Sequence, residues 1–310
     1  MKKFLIFLLL PGLLTACGTA EDLPESPETS AETEETVQDP AESPVTEPEE
    51  TPAEPTETVY VSLGDSIARG YGLSDVRNEV YSAVLAGSFE ESGMVMVPHN
   101  FGVDGQDSTQ LAAYIVNNPA IPEALADAGY VSISIGANNF LGEAFDFLNV
   151  CYDFQKNPST RLTSDDVTSA YQQFNRDVAD GVDRLRDDIP QIIEGIRASN
   201  EDCDILFLTC YNPYGAVDVT LDWGGVMPVN FAALAATSVT QMNDVIRDLA
   251  DDYGYTVADV YTAFEGKWDR LVNAAPVEAG GSLNMNAVDP HPNKNGHIVI
   301  ADVLFEIIKN

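Results

Sequence analysis

Residues 59–67 read Val-Tyr-Val-Ser-Leu-Gly-Asp-Ser-Ile, an apolar run that ends in a turn. The run Val59–Leu63 is short, rich in β-branched and aromatic residues, and directly followed by glycine, which is typical of a buried strand. Ser66 then stands where the chain turns from this strand into a helix. A hydroxyl at such a turn is exposed, and the helix N-terminus beside it favours developing negative charge. The Gly-Asp-Ser string alone indicates little, because these residues are common turn formers.

Four further runs have the same strand pattern, and they are predicted at 94–98, 130–135, 204–210 and 256–260. Helical spacing of apolar residues separates them, as in the series Met242, Val245, Ile246 and Leu249. Strands that alternate with helices form a parallel sheet covered on both faces. We therefore predict an α/β fold, a three-layer α/β/α sandwich with a mainly parallel five-stranded sheet. Ligands of such sheets bind outside the carboxyl ends of the strands.

Two further segments complete this prediction. Residues 164–200 are mostly helical by pattern, and the apolar stripe that begins at Ile300 predicts a terminal helix. The segment 211–229 contains two prolines and three glycines and is predicted to be a long surface loop.

The chain is strongly acidic, with 50 Asp and Glu residues against 15 Lys and Arg residues in 310 and a formal net charge of -35. Binding to nucleic acid requires a concentrated Lys and Arg footprint on the protein. The composition therefore excludes nucleic acid as a partner.

The N-terminus is predicted to be a targeting signal. Lys2 and Lys3 precede the apolar run Phe4–Leu14, which has the length of a signal h-region and is too short to span a bilayer. The following Leu14-Thr15-Ala16-Cys17 resembles a bacterial lipobox, in which Cys17 becomes the lipidated first residue of the mature chain. The alternative is an ordinary secretory signal with a chance cysteine. Both place the mature protein outside the cytoplasm, and the first anchors it to the membrane at the bacterial cell surface.

Residues 18–58 are predicted to be a disordered tether. They hold 14 acidic residues and seven prolines but no Lys or Arg. Such a segment repels itself and cannot bury enough apolar surface to offset its ordering entropy. The domain boundaries are therefore 1–17 for the signal peptide, 18–58 for the tether and 59–310 for the globular domain.

Three cysteines remain in the domain, without CxxC spacing, so a zinc cluster has no support. Cys210 ends an apolar run and is expected to be a buried free thiol. The favoured disulfide is Cys151 with Cys203, although spacing alone does not fix a pairing. The histidines are scattered and do not indicate a metal site. His297 is expected to make a structural hydrogen bond. His99 lies at the end of the second predicted strand and is expected to line a ligand site at the carboxyl ends of the strands.

Polar blocks follow the other strands. The second strand leads into Asn100-Phe101-Gly102-Val103-Asp104-Gly105, the third into Gly136-Ala137-Asn138-Asn139, and Asp289-Pro290-His291 comes shortly before the terminal helix. Taken together and in this order, these blocks resemble the SGNH or GDSL family of lipases and esterases. The resemblance covers essentially all of residues 59–310.

The resemblance implies Ser66 as nucleophile, His291 as general base and Asp289 as the residue that orients His291. It also implies an oxyanion hole formed by the backbone amides of Ser66 and Gly105 and the side chain of Asn138, with no cofactor and no metal. The chemistry agrees, because a serine hydroxyl needs a base to become nucleophilic and a tetrahedral oxyanion needs preorganised donors.

The sequence departs from the family pattern at two positions. Asn139 stands where the family commonly has Asp, and its amide is expected to act as a hydrogen-bonding residue that supports the loop. Asp289-Pro290-His291 replaces the common Asp-x-x-His spacing. Pro290 favours an extended conformation for the residue before it, in which side chains two residues apart point to the same side. We therefore expect the Asp289 carboxylate to reach His291.

The function predicted from the sequence is a serine ester hydrolase that acts outside the cytoplasm through an acyl-enzyme on Ser66. Its substrate is an ester of a small molecule, a lipid or a polysaccharide, and the sequence leaves open whether the acyl group is a lipid chain or an acetyl group. Two alternatives from other classes are an inactive surface-binding module with the same fold and a solute-binding lipoprotein. Neither has a chemical need for the whole set of site residues.

Overall fold

The computed structural model describes residues 57–217, 220–221, 229–274 and 287–310. Contacts divide the chain into two units, Met1–Pro52 and Ala53–Asn310, and every described residue belongs to the second. The predicted signal peptide, nearly all of the predicted tether, and Cys17 lie outside the described residues.

Five strands form a sheet in which all neighbouring pairs are parallel, in the order β2-β1-β3-β4-β7. A short antiparallel pair, β5 with β6, forms a second sheet. The strands are β1 Glu57–Gly64, β2 Val95–Gly102, β3 Ala128–Ser134, β4 Asp204–Leu208, β5 Thr220–Leu221, β6 Val229–Asn230 and β7 Thr256–Ala258.

Helices connect the strands throughout the described part of the chain. They are α1 Ser66–Arg69, α2 Val76–Glu79, α3 Tyr81–Glu91, α4 Ser108–Asn117, α5 Ala120–Ala126, α6 Leu141–Lys156, α7 Ser164–Arg197, α8 Phe231–Asp248, α9 Ala250–Tyr253, α10 Val260–Phe264, α11 Trp268–Leu271 and α12 Lys294–Ile308. None of the described helices combines the length and the hydropathy needed to cross a bilayer.

The sheet is covered on both faces, because side chains alternate between two apolar cores. In β1, Val61 and Leu63 belong to the core that contains residues of α4 to α8, whereas Tyr60 belongs to the core that contains residues of α3, α10 and α12. All three side chains are fully buried. Burial on both faces explains why the strands are near-continuous apolar runs. The predicted three-layer α/β/α fold is confirmed, with a sheet that is wholly rather than mainly parallel.

The strand order reverses beside β1, since β2 lies on one side of it and β3 on the other. Such a reversal leaves a crevice at the carboxyl ends of the strands, where ligands of open α/β sheets bind. Ser66 follows β1 at this edge. The topology therefore places the predicted nucleophile where a ligand can be reached.

Several boundary predictions were wrong: β3 begins at Ala128 instead of residue 130, and β4 and β7 each end two residues before the predicted end, at Leu208 and Ala258. Strand β2 continues to Gly102, beyond Pro98, because it lies at the edge of the sheet, where a missing backbone donor is tolerated. The segment predicted as a surface loop over 211–229 contributes β5, which pairs with β6. Residues 218–219 and 222–228 of this segment lie outside the described residues.

The favoured disulfide was also wrong, because Cys151 and Cys203 are both free. Cys151 is buried on α6 within the apolar core. Cys203 lies just before β4, with its sulfur 3.7 Å from the Asn200 carbonyl oxygen. Each thiol has its own buried environment, so both are core residues rather than partners in a bridge.

Candidate active site

Ser66 is held at the first position of α1, directly after β1. The preceding Asp65 caps this helix by accepting a hydrogen bond from the Ile67 amide at 3.0 Å. Gly64, the last residue of β1, has a φ of +132°, and a Cβ atom there would lie 2.0 Å from the Ser134 carbonyl oxygen. Only glycine therefore allows the ends of β1 and β3 to approach so closely.

His291 connects Ser66 with Asp289. Its Nε2 atom lies 2.9 Å from the Ser66 hydroxyl oxygen, and its Nδ1 atom lies 2.6 Å from the Asp289 carboxylate. The same carboxylate oxygen accepts the His291 backbone amide at 3.1 Å. The two-residue spacing thus lets one carboxylate hold both the ring and the backbone of His291. The structure brings these three predicted residues together in the order that nucleophilic catalysis requires.

The Asp289 carboxylate is held in its charged form. Partial burial raises its pKa, but the hydrogen bonds from the ring and the backbone amide of His291 outweigh burial and lower the pKa below the ordinary 3.8. A carboxylate beside Nδ1 fixes the ring tautomer in which Nε2 is free to accept a proton.

Neighbouring segments fix the loop that carries His291. The Tyr211 hydroxyl donates to the Pro290 carbonyl at 2.7 Å, and the Asn273 amide donates to the His291 carbonyl at 2.9 Å. The backbone is therefore anchored on both sides of the imidazole.

The predicted oxyanion donors come from three loops. Asn138 lies in the 3-10 turn Ala137–Asn139 after β3, and its side-chain amide donates to the Gln106 carbonyl at 2.9 Å. This bond uses one of its two N–H groups and ties the turn to the loop that contains Gly105. The Ser66 amide begins a helix and has no intrahelical partner. The Gly105 amide, in a residue with a φ of +73°, bonds to no other group in the described residues, and Gly105 does not line the cavity beside Ser66.

Asn139 holds the 3-10 turn Ala137–Asn139 in place through hydrogen bonds to α4 and α7. Its buried side chain accepts from the Ser108 amide at 3.0 Å and donates to the Ser108 hydroxyl at 2.7 Å and to the Gly181 carbonyl of α7 at 2.9 Å. Arg184, also on α7, donates to the Asn139 carbonyl. An ionised aspartate could not donate to the Gly181 carbonyl, so the amide suits this position.

Asp65 is a buried acid next to the nucleophile. Its side chain is 2% exposed, and desolvation raises its pKa from the ordinary 3.8 to about 6. The hydrogen bond from the Ile67 amide and the proximity of His291 oppose this rise. Asp65 therefore acts as a helix cap whose charge is costly to keep buried.

A cavity of about 1080 Å³, including the space at its mouth, opens beside Ser66. Ser66, Asn138 and His291 lie at its polar end. Its remaining lining is largely apolar and comes mainly from α6, α7, α8 and the segment after β4. The residues on the three helices are Leu141, Ala144, Phe147, Leu148, Phe174, Phe231, Leu234, Ala235, Ser238, Val239 and Met242.

Helix α6, which forms one wall of this cavity, was not predicted from the sequence. The signal was available, because Leu141, Ala144, Phe145 and Leu148 fall at i, i+3, i+4 and i+7.

Cys210 lines the cavity, but it is not a competing nucleophile. It follows β4 and is partly rather than fully buried as a residue, with its sulfur 3.7 Å from the Ile135 carbonyl oxygen. Desolvation raises the pKa of its thiol to about 12, so the thiol stays protonated at neutral pH.

The other histidines lie away from the reacting groups. His297 makes the expected structural hydrogen bond, since its Nδ1 accepts from the Tyr81 amide at 3.3 Å. The expectation that His99 lines the site was wrong, because His99 is exposed in β2 and does not line the cavity. Across the described ranges, no three His, Cys, Asp or Glu side chains cluster as metal ligands.

Solved structures of several hydrolases share this fold. The lipase Lip_vut3 from a goat rumen metagenome has a TM-score of 0.55 and 17% identity, covering 80% of this chain and 95% of its own. An extracellular lipase from Streptomyces rimosus has a TM-score of 0.54 and 20% identity, covering 80% and 99%. Phospholipase A1 from Streptomyces albidoflavus has a TM-score of 0.50 and 18% identity, covering 80% and 98%. At these identities the likeness shows the fold alone.

A comparison with curated protein sequences gave no match. The sequence model of the GDSL-like lipase/acylhydrolase family, in contrast, matches residues 62–298, which is most of the chain and contains Ser66, Asn138 and His291. The fold, the strand-end residues and this match agree, and the chain belongs to the GDSL-like lipase/acylhydrolase family of ester hydrolases.

Proposed function

We propose that this protein hydrolyses carboxylic esters through a covalent acyl-enzyme on Ser66. The observation that carries the proposal is the hydrogen-bonded series in which His291 Nε2 lies 2.9 Å from the Ser66 hydroxyl and its Nδ1 lies 2.6 Å from Asp289. A serine is a poor nucleophile until a base removes its proton, and here the base and the group that orients it are both in place.

The reaction proceeds in two halves. In the first, His291 takes the Ser66 proton while the serine oxygen bonds to the ester carbonyl carbon. The carbonyl oxygen becomes an oxyanion, for which Ser66, through its amide, and Asn138, through its free N–H, are the donors that line the cavity, and the Gly105 amide is the third predicted donor. The C–O bond to the alcohol then breaks, and protonated His291 gives its proton to the departing alkoxide.

In the second half, water replaces the alcohol. His291 removes a proton from the water as its oxygen attacks the acyl carbon, and the same donors hold the second oxyanion. Collapse releases the carboxylic acid and returns the proton to Ser66. Asp289 stays charged throughout and stabilises the imidazolium that forms in each half.

The test is labelling and turnover in the full-length protein. A fluorophosphonate probe is expected to modify Ser66 covalently, and Ser66→Ala is expected to abolish labelling and lower turnover by several orders of magnitude. A Ser134→Ala variant is the matched control, because it removes another buried hydroxyl at the same sheet edge. Undiminished activity in Ser66→Ala would refute the mechanism, and absence of both labelling and turnover in the wild-type protein would favour a binding module.

We also propose that the protein acts at the outer face of the membrane, anchored by a lipid on Cys17. The support is the sequence Leu14-Thr15-Ala16-Cys17 directly after an apolar signal-like run. Cys17→Ala is expected to release the protein from the membrane fraction without loss of esterase activity. Retention of this variant in washed membranes would contradict the anchor.

A further inference from the structure

The inner part of the cavity beside Ser66 is lined by apolar side chains and is called the apolar chamber here. Its walls come from α6, α7 and α8, and Phe147, Phe174 and Met242, one from each helix, are only 3%, 4% and 1% exposed. Water finds few hydrogen-bond partners in such a chamber, whereas an apolar molecule gains dispersion contacts with the walls.

Polar side chains in the walls have partners within the protein. The Ser238 hydroxyl donates to a backbone carbonyl one turn earlier at 3.2 Å, and the Tyr214 hydroxyl donates to a backbone carbonyl at 3.0 Å. The Thr209 hydroxyl lies 3.2 Å from the Asp259 carboxylate. A sugar would lose its own hydration here without gaining matching hydrogen bonds, so these walls favour a hydrocarbon.

The two halves of an ester leave Ser66 in different directions. The alcohol takes its proton from His291, and the ring beside His291 is Tyr71, which is 50% exposed and does not line the cavity. The alcohol therefore departs along a face open to solvent. The acyl group stays on Ser66, at the polar end of the chamber.

We propose that the chamber binds the acyl chain of a medium- or long-chain fatty acid ester, which makes the substrate a lipid-type ester rather than an acetylated sugar. This inference rests on the proposed function, because the chain enters the chamber only when its carbonyl carbon is at Ser66. The apolar lining extends from Ser66 across residues of α6, α7 and α8, which is more surface than the methyl group of an acetyl ester can cover.

Chain length is the measurable consequence. Each methylene moved from water into an apolar site strengthens binding about fourfold. We therefore expect kcat/KM of the full-length protein to rise from p-nitrophenyl acetate through the butyrate to the octanoate, by about tenfold or more overall, with each ester kept monomeric in solution. Octanoate ion should inhibit competitively at concentrations where acetate ion does not.

A variant with a larger side chain in the chamber distinguishes binding of the acyl chain from differences in the intrinsic reactivity of the esters. Ala235 on α8 lines the cavity, whereas Ala233, two residues earlier on the same helix, is exposed and does not. Ala235→Phe is expected to lower the octanoate-to-acetate ratio of kcat/KM at least about tenfold, and Ala233→Phe to leave it unchanged. Ala144→Phe narrows the chamber from α6 and replaces Ala235→Phe if that variant does not fold.

The outcomes distinguish the two proposals. Cleavage of the acetate ester with an octanoate rate no higher, or an unchanged ratio in the folded cavity-filling variant, overturns the acyl-chain assignment and leaves the Ser66 mechanism intact. Failure to cleave any of the three esters overturns the proposed function, and the acyl-chain assignment with it.

Discussion

The aromatic ring of Tyr71 packs against the imidazole of His291, with ring centroids 4.5 Å apart and planes inclined by 38°. The Tyr71 amide also donates to the Ser66 carbonyl at 2.9 Å. Tyr71 thus contacts His291, the proposed base, through its side chain, and Ser66, the proposed nucleophile, through its backbone. Tyr71 had no predicted role, since the contact joins residues that are 220 positions apart in the sequence.

We predict that Tyr71 positions His291. Tyr71→Ala should lower kcat/KM about 3- to 10-fold, because an aromatic pair contributes about 0.5–1.5 kcal/mol. Tyr71→Phe keeps the ring and should stay within about twofold of wild type. Rates on a short-chain ester between pH 5 and 9 measure both the loss and the apparent pKa of the base. An equal loss in both variants would assign the effect to the hydroxyl and not to ring packing.

Asp289→Asn should lower turnover about 10²- to 10⁴-fold with the fold intact, because an amide N–H facing Nδ1 favours the wrong tautomer of His291. His291→Ala and Ser66→Ala should be more damaging still. Steady-state rates together with circular dichroism spectra of the three variants provide the measurement. If Asp289→Asn retains activity within about tenfold, or about 1.4 kcal/mol of barrier, Asp289 only organises the loop and the site is a dyad.

Asn138→Ala should lower kcat about 10²- to 10³-fold, the usual effect of removing one oxyanion donor. The unfolding free energy should fall by only about 1 kcal/mol, since the variant loses a single hydrogen bond to the Gln106 carbonyl. Asn138→Asp is the matched control, because an ionised carboxylate keeps the shape but cannot donate. A kcat within threefold of wild type in Asn138→Ala would remove this side chain from the oxyanion hole.

His297 should make the fold sensitive to acid. Desolvation lowers the pKa of this fully buried ring from the ordinary 6.5 to about 4, and its Nε2 atom has no partner in the described part of the chain. Between pH 6.5 and 4, His297 binds a proton in the unfolded chain but not in the folded chain. The unfolding free energy should therefore fall by about 3 kcal/mol as the pH drops through this window.

The variant His297→Gln removes this proton uptake while keeping an acceptor for the Tyr81 amide. Urea unfolding of both proteins at pH 7, 6, 5 and 4 measures the difference. Asp65 has the opposite pH dependence, because its raised pKa lowers the unfolding free energy as the pH rises from 3.8 to about 6. Both proteins contain Asp65, so its contribution cancels in the difference between their unfolding free energies. Parallel stability curves for the two proteins would show that His297 titrates normally.

The sheet could be predicted from the sequence because burial on both faces leaves a simple signal, a short apolar run, as in Val59–Leu63. Ser66, Asn138 and His291 could be singled out because each follows a strand or precedes the terminal helix, and the structure brings all three to one cavity. Strand ends were predicted less accurately, as in β2, which continues past Pro98 to Gly102 at the edge of the sheet. The family match identifies the family, which no single motif does, because a Gly-Asp-Ser turn is common by itself.

Features that depend on tertiary packing could not be predicted. The apolar chamber exists only because α6, α7 and α8 are separated beside Ser66, and the spacing of apolar residues within each helix does not encode the gap between the helices. The free thiols of Cys151 and Cys203 illustrate the same limit. A disulfide requires two Cβ atoms about 4 Å apart, which composition and spacing do not determine.

The link between Asn139 and α7 has a kinetic consequence. Gly181 and Arg184 of α7 bind the turn that carries Asn138, and Phe174 of the same helix forms a wall of the chamber. If a bound chain displaces this wall, we expect Asn138, the proposed oxyanion donor, to shift with it. Contacts with the acyl chain, far from the carbonyl carbon, can in this way lower the free energy of the transition state. Longer acyl chains should raise kcat itself, and a truncated ester should react slowly even at saturation.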